Sequence, residues 1–215
     1  IAAPPVPAAR PARVWISPAH PAWSQAVGEL VLRLGGQLDG GARPAADALC
    51  LLTPLGSDAT TLCLAEGLDA SRCIAIDCLF GVDKGQCGRR TLMTTPLTSP
   101  EMRAAAHGLF AADGVPVSVI RDSAGLIAQR IVAMIVNIGC DIAQQRIAAP
   151  SDIDRAVSLG LGYPMGPLSL GDAIGAPNIL AILEAMQSFY GDPRYRPSPW
   201  LKRRALLEVS LSAEE

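Results

Sequence analysis

Histidine and aromatic residues are scarce in this sequence of 215 residues, which contains only His20 and His107 and 4% aromatic side chains. No two of its cysteines have C-x-x-C spacing, and most lie within apolar runs: Cys50, Cys63, Cys73, Cys78, Cys87 and Cys140. Zinc centres and disulfide frameworks depend on ligands and spacings that this sequence lacks. We therefore expect small buried thiols, no metal site and a reducing, cytoplasmic environment.

Charged residues are also sparse, at 18% of the chain, and the formal net charge is −2. Proteins that bind nucleic acid normally carry a basic surface, which this composition does not provide. Neither a membrane span nor a signal peptide is recognisable. We therefore expect no nucleic-acid partner and no membrane partner. Because half of the residues are hydrophobic, the chain can bury a sizeable core in one or two domains.

The first twelve residues are mainly alanine and proline, a composition typical of an extended linker. Because the chain begins with Ile1 rather than methionine, we expect it to be a fragment of a longer polypeptide. Near the other end, Lys202, Arg203 and Arg204 form a run of adjacent cations. Such a run is usually a solvated helix face, and contact with a phosphate-bearing ligand is the alternative.

Short apolar runs alternate with helical patterns between residues 13 and 121. The apolar runs predict strands at 13–17, 47–53, 72–78, 90–95 and 115–120, with 90–95 at an edge of the sheet. Helices are predicted for 21–34, after Asp58, and from Thr98 to Gly114, where Thr98 and Glu101 have the spacing of a capping box. This alternation is typical of an α/β domain with a parallel sheet.

The pattern changes at Ser123 to a long helix that extends to Ile147. One face carries the bulky apolar residues Ile127, Ile131, Met134, Ile135, Ile138 and Ile142, and smaller apolar residues cover much of the rest. A helix that is apolar nearly all round must be enclosed by other helices. Further helices are predicted near 166–175, 176–190 and 199–210, so residues 122–215 are expected to form an all-α domain.

After the long helix comes a run, residues 151–172, that is rich in glycine and proline. Ser151 can cap a short helix, with Asp152 and Asp154 at its positive end. The helix is then broken by Gly160, Gly162, Pro164, Gly166 and Pro167, with Met165 between them, and an apolar pattern resumes around the single acid Asp172. The run contains no nucleophile, base or metal cluster, so a packing corner is favoured over a catalytic loop.

The run from Asp152 to Asp172, with its Gly-x-Gly-x-Pro-Met-Gly-Pro core, strongly resembles the C-terminal helical domain of the 3-hydroxyacyl-CoA dehydrogenases. Downstream, the segment 191–201 is similar to the end of the second helical domain in longer bacterial members of the family; it contains Asp192, Arg194, Tyr195 and Arg196. The resemblance implies a reduced Rossmann-like domain at 13–121, followed by the helical domain at 122–215.

Compared with this family, the chain lacks the residues that bind the cofactor and carry out catalysis. The place of the Gly-x-Gly-x-x-Gly phosphate loop is taken by residues 17–22, Ser-Pro-Ala-His-Pro-Ala, whose prolines remove amide donors. Asp77 occupies the position of the family's catalytic histidine, no glutamate occurs between Gly67 and Pro100, and Gln129 replaces the asparagine that positions substrate. We therefore expect no catalytic residue and no bound cofactor in this chain, and NAD as the cofactor of the parent enzyme.

Other candidates for catalysis are weak. His107 lies among alanines on a predicted helix, as a structural histidine would, and the proline neighbours of His20 indicate a turn. Cys78 needs a neighbouring base to act as a nucleophile, and none is recognisable, which leaves Asp77 and Cys78 as a minor second candidate site.

The resemblance implies a parent enzyme that oxidises a 3-hydroxyacyl-CoA to the 3-oxoacyl-CoA with NAD, in fatty-acid or aromatic degradation. This portion is expected to contact the N-terminal domains of the parent chain, to shape the acyl-CoA cleft, and to form a homodimer through its helical domain. Asp192, Arg194 and Arg196 are expected to hold the segment 191–200 against that domain. The alternatives are a non-catalytic acyl-CoA-binding module, which would use the basic end of the last helix, and a small dehydrogenase with a rearranged site.

Overall fold

The computed structural model describes residues 5–213, which divide into two compact units, with the division between Leu126 and Ile127. We call the first the α/β unit and the second the helical unit. The boundary predicted between residues 121 and 122 precedes this division. Residues 1–4 of the predicted linker lie outside the described residues.

The α/β unit contains five strands in the spatial order β1-β2-β3-β4-β5. In chain order its elements are β1 (Val14–Ile16), α1 (Pro21–Arg33), β2 (Leu49–Leu52), α2 (Ala59–Ala65), β3 (Cys73–Ile76), β4 (Arg90–Thr94), α3 (Pro100–Phe110) and β5 (Val117–Arg121). Every residue of β2 and β3 is buried, as their continuous apolar sequence requires. Beyond β1, the backbone N–H of Val14 donates to Gln37 O at 2.8 Å and that of Asp39 donates to Val14 O at 2.8 Å, so residues 37–39 lie along its outer side.

The sheet is mixed, and the predicted all-parallel sheet is wrong in this respect. Strands β1, β2 and β3 are mutually parallel, β4 is antiparallel to β3, and β5 is parallel to β4. β4 also lies inside the sheet between β3 and β5, whereas its sequence had suggested an edge. The cause is the connection from β3 to β4, which contains no crossover helix; without one, the chain can only reverse direction. Gly81 and Gly85 make that reversal with φ values of 80° and 102°.

Helix α3 begins one residue later than the predicted capping box. Ser99 is the N-cap, and its side chain accepts a hydrogen bond from the backbone N–H of Met102. Thr98 instead donates its hydroxyl to Cys73 O at 2.7 Å, which joins the start of the helix to β3. The cap of α2 lies where the sequence places it, at Asp58, whose carboxylate accepts from the backbone N–H of Thr61.

A buried arginine holds β4 to its surroundings. The Arg90 side chain is 1% exposed and forms a bidentate pair with Asp113, at 2.7 and 2.8 Å. The same guanidinium donates to Val82 O at 2.8 Å and to Phe110 O at 2.6 Å. These bonds join the reversing loop, β4 and the end of α3. Hydrogen bonding from Arg90 holds the pKa of Asp113 at about 2.

The helical unit contains five helices, α4 (Ala128–Gln144), α5 (Pro150–Leu161), α6 (Pro167–Ile174), α7 (Ala176–Tyr190) and α8 (Pro199–Leu207). α4 is shorter than the predicted 123–147. A turn occupies the residues before it, where Leu126 has a φ of 43°. Among the described residues no single helix is long and apolar enough to cross a membrane; α6 and α7 pass that test only as a pair bent by 95°.

The side of α4 that is buried is not the one with the bulkiest residues. Its core face carries Val132, Val136, Gly139, Cys140 and Ala143. The opposite side forms what we call the isoleucine stripe, in which Ile127, Ile131 and Ile138 are 46%, 54% and 55% exposed. The prediction that neighbouring helices enclose α4 all round is therefore wrong.

The corner between α5 and α6 is held by one carboxylate. Asp154 accepts hydrogen bonds from the backbone N–H groups of Leu168 (2.8 Å) and Ser169 (2.9 Å) at the start of α6. Its negative charge therefore lies at the positive end of α6, and the predicted role at the start of its own helix is wrong for Asp154. Ser151 is not the cap of α5 either, because Ala149 takes that position and Pro150 is the first helical residue. Asp152 does lie in the first turn.

The turn within this corner has both crowded and open positions. Gly166 lies directly against Asp154: a Cβ added there would be 2.3 Å from Asp154 Cβ and 2.4 Å from its Cα. Gly160 has no heavy atom within 4 Å of an added Cβ. Pro164 and Met165 are exposed, while Gly166 and Pro167 are buried. Only part of the glycine and proline run is therefore required by packing.

Two more polar groups fasten the end of the chain to the helices. Asp172 on α6 accepts from Leu211 N at 2.8 Å and from the Ser210 hydroxyl at 2.6 Å. Asn137 on α4 donates to Arg196 O at 2.9 Å and accepts from Ser198 N at 2.7 Å. The extended segment before α8 is therefore held through its backbone.

The predicted cluster of Asp192, Arg194 and Arg196 does not form as one group. Asp192 pairs locally with Arg194 at 2.8 Å, on the surface, and caps the short turn that contains Tyr195. Arg196 instead pairs with Asp141 on α4 at 3.3 Å. Exposed pairs of this kind contribute about 0–1 kcal/mol, so Asn137 is the stronger fastening.

We expect Asp113→Asn to lower the free energy of unfolding by about 3 kcal/mol, because it leaves the Arg90 charge buried without its partner. Asp83→Asn is the matched control: Asp83 pairs with Arg33 on the surface, and we expect a loss of about 1 kcal/mol or less. Urea unfolding followed by tryptophan fluorescence measures both, since Trp15 and Trp23 lie in the α/β unit.

The same pair predicts a pH dependence. The folded pKa of Asp113 lies at about 2, below its ordinary value of 3.8, so the stabilisation is complete above pH 3.8 and is lost as the pH falls towards 2. The difference between the native protein and Asp113→Asn should therefore shrink over that interval. A difference that is unchanged from pH 7 to 2.5 would contradict the assigned role of the carboxylate.

The two glycines of the corner should respond to alanine in opposite directions. Gly166→Ala places a methyl group against the Asp154 backbone and should cost at least about 2 kcal/mol of stability. Gly160→Ala adds a methyl group in open space within α5 and should stabilise by about 0.5–1 kcal/mol. Thermal unfolding of the two variants decides the point. Equal melting temperatures would show that the corner is not packed as described.

Candidate functional site

The loop between β1 and α1, where a dinucleotide-binding domain holds pyrophosphate, is filled by its own hydrogen bonds. Ser17 is fully buried, and its hydroxyl donates to Glu66 Oε1 at 2.5 Å. The backbone N–H of Ala19 donates to Ser17 Oγ at 3.2 Å, and the Ser24 hydroxyl donates to Ser17 O at 2.5 Å. The amide and hydroxyl donors that could face a phosphate are therefore directed into the loop itself.

The loop also contains a negative group. The carboxylate of Glu66 accepts from the Ser17 hydroxyl, and a carboxylate in this position would repel the pyrophosphate of NAD. Pro21 at the start of α1 offers no N–H to an anion. The sequence shows that the glycines are missing. It does not show that the carboxylate of Glu66, at the end of α2, reaches this loop.

Asp77 follows β3 directly and forms a local turn. Its carboxylate accepts from the backbone N–H of Leu79 at 3.1 Å, and its own N–H donates to Thr91 O at 3.0 Å on β4. The residue across from Asp77 is thus a threonine, which cannot support a protonated base as a carboxylate does. Neither histidine lies beside it in the sequence or on the same elements, since His20 precedes α1 and His107 is on α3.

Cys78 is unsuited to nucleophilic attack. The side chain is 5% exposed, and burial raises the pKa of the thiol, with the neighbouring Asp77 carboxylate raising it further. A thiol of this kind stays protonated at neutral pH, whereas the thiolate is the reactive form. The second candidate site, Asp77 with Cys78, therefore has a turn-forming acid and an inert thiol.

No group of three metal-ligating side chains occurs between residues 5 and 213.

The two histidines have different surroundings. His20 lies at the turn before α1, its ring centroid 5.3 Å from that of Trp23, and burial lowers its pKa. His107 lies on α3, where burial lowers the pKa and the nearby Arg103 lowers it further. Both imidazoles are therefore largely neutral at pH 7.

Gln129, at the position of the family's asparagine, is fully buried in the first turn of α4. Beside it, Arg130 donates to the Tyr190 hydroxyl at 2.7 Å and lies 5.2 Å from the centre of that ring. An amide buried in this way serves the packing of α4 and has no surface with which to meet a substrate.

The cations of the last helix do not form one patch. Lys202 pairs with Glu184 at 3.5 Å, and Arg203 is exposed. Arg204 is 5% exposed, lies 3.2 Å from the centre of the Trp200 ring and donates to Ala213 O at 2.8 Å. The hypothesis that this run contacts phosphate or CoA is therefore not supported by its geometry.

Sequence reasoning missed a groove on the α/β unit. A cavity of about 1000 Å³ lies between α3 and β5, the last strand of the sheet, and we call it the α3–β5 groove. Arg89, Arg103, Arg121 and His107 line it together with apolar residues. The only signal in the sequence is on α3, where Pro100, Arg103, Ala104 and His107 have the spacing of one helix face.

The helical unit matches a known family. Residues 125–209 match the family model of the 3-hydroxyacyl-CoA dehydrogenase C-terminal domain. The 3-hydroxyadipyl-CoA dehydrogenase of Escherichia coli (strain K12) is 46% identical over 95 residues, which are 44% of this chain and 20% of that protein. A probable 3-hydroxybutyryl-CoA dehydrogenase of Bacillus subtilis (strain 168) is 32% identical over 114 residues, 53% of this chain and 38% of that one. The chain therefore spans well under half the length of these relatives.

Solved structures agree with the sequence matches. The crystal structure of 3-hydroxybutyryl-CoA dehydrogenase from Escherichia coli K12 is 34% identical, with a TM-score of 0.64 over 74% of this chain and 32% of that chain. That of (S)-3-hydroxybutyryl-CoA dehydrogenase from Ralstonia eutropha has a TM-score of 0.70 over 92% of this chain and 66% of that chain, and its 22% identity shows the fold alone. The expected Rossmann-like and helical architecture is thereby confirmed. Residues 125–209 are therefore similar to the C-terminal domain of the 3-hydroxyacyl-CoA dehydrogenases, a match that covers less than half of this chain.

Proposed function

We propose that this chain is the non-catalytic C-terminal portion of an NAD-dependent 3-hydroxyacyl-CoA dehydrogenase that acts in fatty-acid or aromatic degradation. In the parent enzyme, the hydroxyl carbon of a 3-hydroxyacyl-CoA loses a hydride to NAD and its hydroxyl proton to a base, which gives the 3-oxoacyl-CoA. The observation that carries the proposal is the match of residues 125–209 to the family's C-terminal domain, beside an α/β unit whose phosphate loop excludes pyrophosphate.

The roles that we propose for the two units follow from the interactions that each one contains. The helical unit keeps the polar bonds that set its geometry, at Asp154, Asp172 and Asn137. The α/β unit keeps its sheet, but the position of the catalytic base is a turn-forming aspartate. NAD and the catalytic groups would then be provided by N-terminal domains of the parent chain, and this portion would help to shape the acyl-CoA cleft. The six free cysteines are in keeping with a reducing, cytoplasmic compartment.

The isoleucine stripe of α4 supports a second element of the proposal, association through the helical unit. Ile127, Ile131 and Ile138 are about half exposed and lie on one side of a single helix. Apolar side chains aligned in this way normally meet a partner. A second copy is the simplest partner for the chain by itself, because twofold pairing closes such a surface. In the parent enzyme, a helical domain of the N-terminal part would take the same place.

The chain by itself should neither bind NADH nor turn over substrate. Glu66 and the prolines of the phosphate loop exclude pyrophosphate, and Asp77 replaces the base, so titration calorimetry should show no saturable micromolar binding of NADH. NADH absorbance should stay constant with acetoacetyl-CoA, while the Escherichia coli relative serves as the positive control. Turnover that disappears in Asp77→Ala would overturn the proposal.

The chain should also form dimers through the isoleucine stripe. Ile131→Glu and Ile138→Glu place charges within it and should shift the mass measured by light scattering from dimer to monomer at micromolar concentration. Leu64→Glu, at a more exposed apolar residue on α2, is the control and should leave the dimer intact. A monomer in the unmodified chain, or a dimer that Leu64→Glu disrupts and Ile131→Glu does not, would contradict the proposed interface.

A further inference from the structure

We propose that the α3–β5 groove binds an organic ligand that carries a terminal phosphate monoester. The inference does not depend on the dehydrogenase assignment, since the groove lies wholly within the α/β unit. It rests on three features: the walls of the groove, its uncompensated positive charge, and its mixture of apolar and cationic lining.

The walls come from three parts of the unit. One face of α3 forms one side and the edge strand β5 forms the floor. Pro5 and Pro7 of the N-terminal segment also line the groove. That segment is seated against α3 at Gly108, where an added Cβ would lie 2.6 Å from Pro7 O and 2.3 Å from Ala9 O. Any side chain at position 108 would displace the segment.

The charge of the groove has no ion-pair partner among residues 5–213. The guanidinium groups of Arg103 and Arg121 form no hydrogen bond or ion pair with any residue that the structure describes, and that of Arg89 donates only to the Ser118 hydroxyl, at 3.1 Å. The other cations of the α/β unit all donate to a protein oxygen, through pairs with acids or bonds to carbonyls: Arg10, Arg13, Arg33, Arg43, Arg72, Lys84 and Arg90.

The one acid in the lining is already engaged. Asp122 accepts from the backbone N–H groups of Ala59 (2.8 Å) and Thr60 (3.1 Å), at the start of α2, and from the Thr60 hydroxyl. Its charge is thus directed to the positive end of that helix. Three guanidinium groups therefore line one groove without an ion-pair partner among the described residues, although the net charge of the chain is −2, and such groups attract an anion.

Phosphate is the anion that suits these groups. A guanidinium binds phosphate oxygens in a bidentate manner, and a monoester carries close to two negative charges at neutral pH, against one for a diester. An inorganic ion would leave most of a 1000 Å³ cavity unfilled. Apolar surface for the organic part of the ligand comes from Val117, Val119, Ile120, Pro5 and Pro7. Nucleoside bisphosphates and coenzyme A, with its 3′-phosphate, both have this chemistry.

The two histidines provide a direct readout in the intact chain. His107 lines the groove, and a bound phosphate should raise its pKa, by about 0.5–1, because the anion favours the imidazolium. His20 does not line the groove and serves as the internal control. The titration of both ring Cε1–H resonances is followed by NMR with and without adenosine 3′,5′-bisphosphate, with adenosine as the ligand that lacks phosphate.

Charge variants locate the binding. Arg103→Gln and Arg121→Gln should each weaken the affinity for adenosine 3′,5′-bisphosphate roughly tenfold. Arg155→Gln, which makes the same charge change at an exposed residue of α5, should leave it unaltered. A second arm uses coenzyme A: tighter binding than the bisphosphate identifies an acyl-CoA-type ligand, and equal binding a nucleotide, and either result supports the site.

Three results would overturn the proposal. They are a His107 pKa that does not change at millimolar bisphosphate, an equal change at His20, or an equal loss of affinity in Arg155→Gln. NADH contains no phosphate monoester, so its failure to bind bears on the proposed function and not on this groove. Conversely, failure of the groove to bind the bisphosphate would not affect the proposed function as part of a dehydrogenase.

Discussion

The Arg90 guanidinium is the interaction on which the α/β unit depends most. It is buried where the chain reverses after β3, and it joins the reversing loop, β4 and the end of α3 through Val82, Phe110 and Asp113. A buried charge is tolerated only when its hydrogen bonds and its counter-charge are all supplied, as they are here. Once the loop after β3 has reversed the chain, the same residue helps to hold β4 between β3 and β5.

Elsewhere the fold uses carboxylates as caps for distant backbone amides. Asp122 accepts from the start of α2, Asp154 from the start of α6, and Asp172 from the backbone at Leu211. Each carboxylate accepts hydrogen bonds from backbone N–H groups that have no acceptor within their own element. In a sequence with few charges, acids committed to such structural bonds are not available for catalysis. These three acids therefore serve the shape of the two units.

What the sequence could predict follows from how local each interaction is. Strands β2 and β3, helix α7 and the cap at Asp58 follow from apolar runs and neighbouring residues, and all were predicted. The direction of β4 was not predicted, because it depends on the reversing loop after β3, and the Arg90–Asp113 pair that holds β4 in place joins residues that are distant in the sequence. Which side of α4 faces the core was not predicted, for a similar reason. Periodicity identifies an apolar face, but Gly139 packs against Pro167, and this close approach turns the small-residue side inward and leaves the isoleucines outside.

The absence of the family's glycines and histidine is a comparison of residues alone, and the lack of a catalytic site stays a prediction. The hydrogen bond from Ser17 to Glu66 and the groove lined by both Arg103 and Arg121 arise only after folding. Two arginines that are distant in the sequence carry no shared signal there. The charge of the groove is therefore a property of the tertiary structure, although every residue in it is visible in the chain.

Residues 37–39 lie along the outer side of β1 and affect how the sheet can meet other chains. The exposed edge of a sheet presents unpaired N–H and C=O groups, which can pair with an extended segment of another molecule. Here two backbone bonds join Val14 to Gln37 and Asp39, so an irregular strip three residues long covers the edge at β1. Strand addition at this edge, a common route to aggregation, is thereby disfavoured.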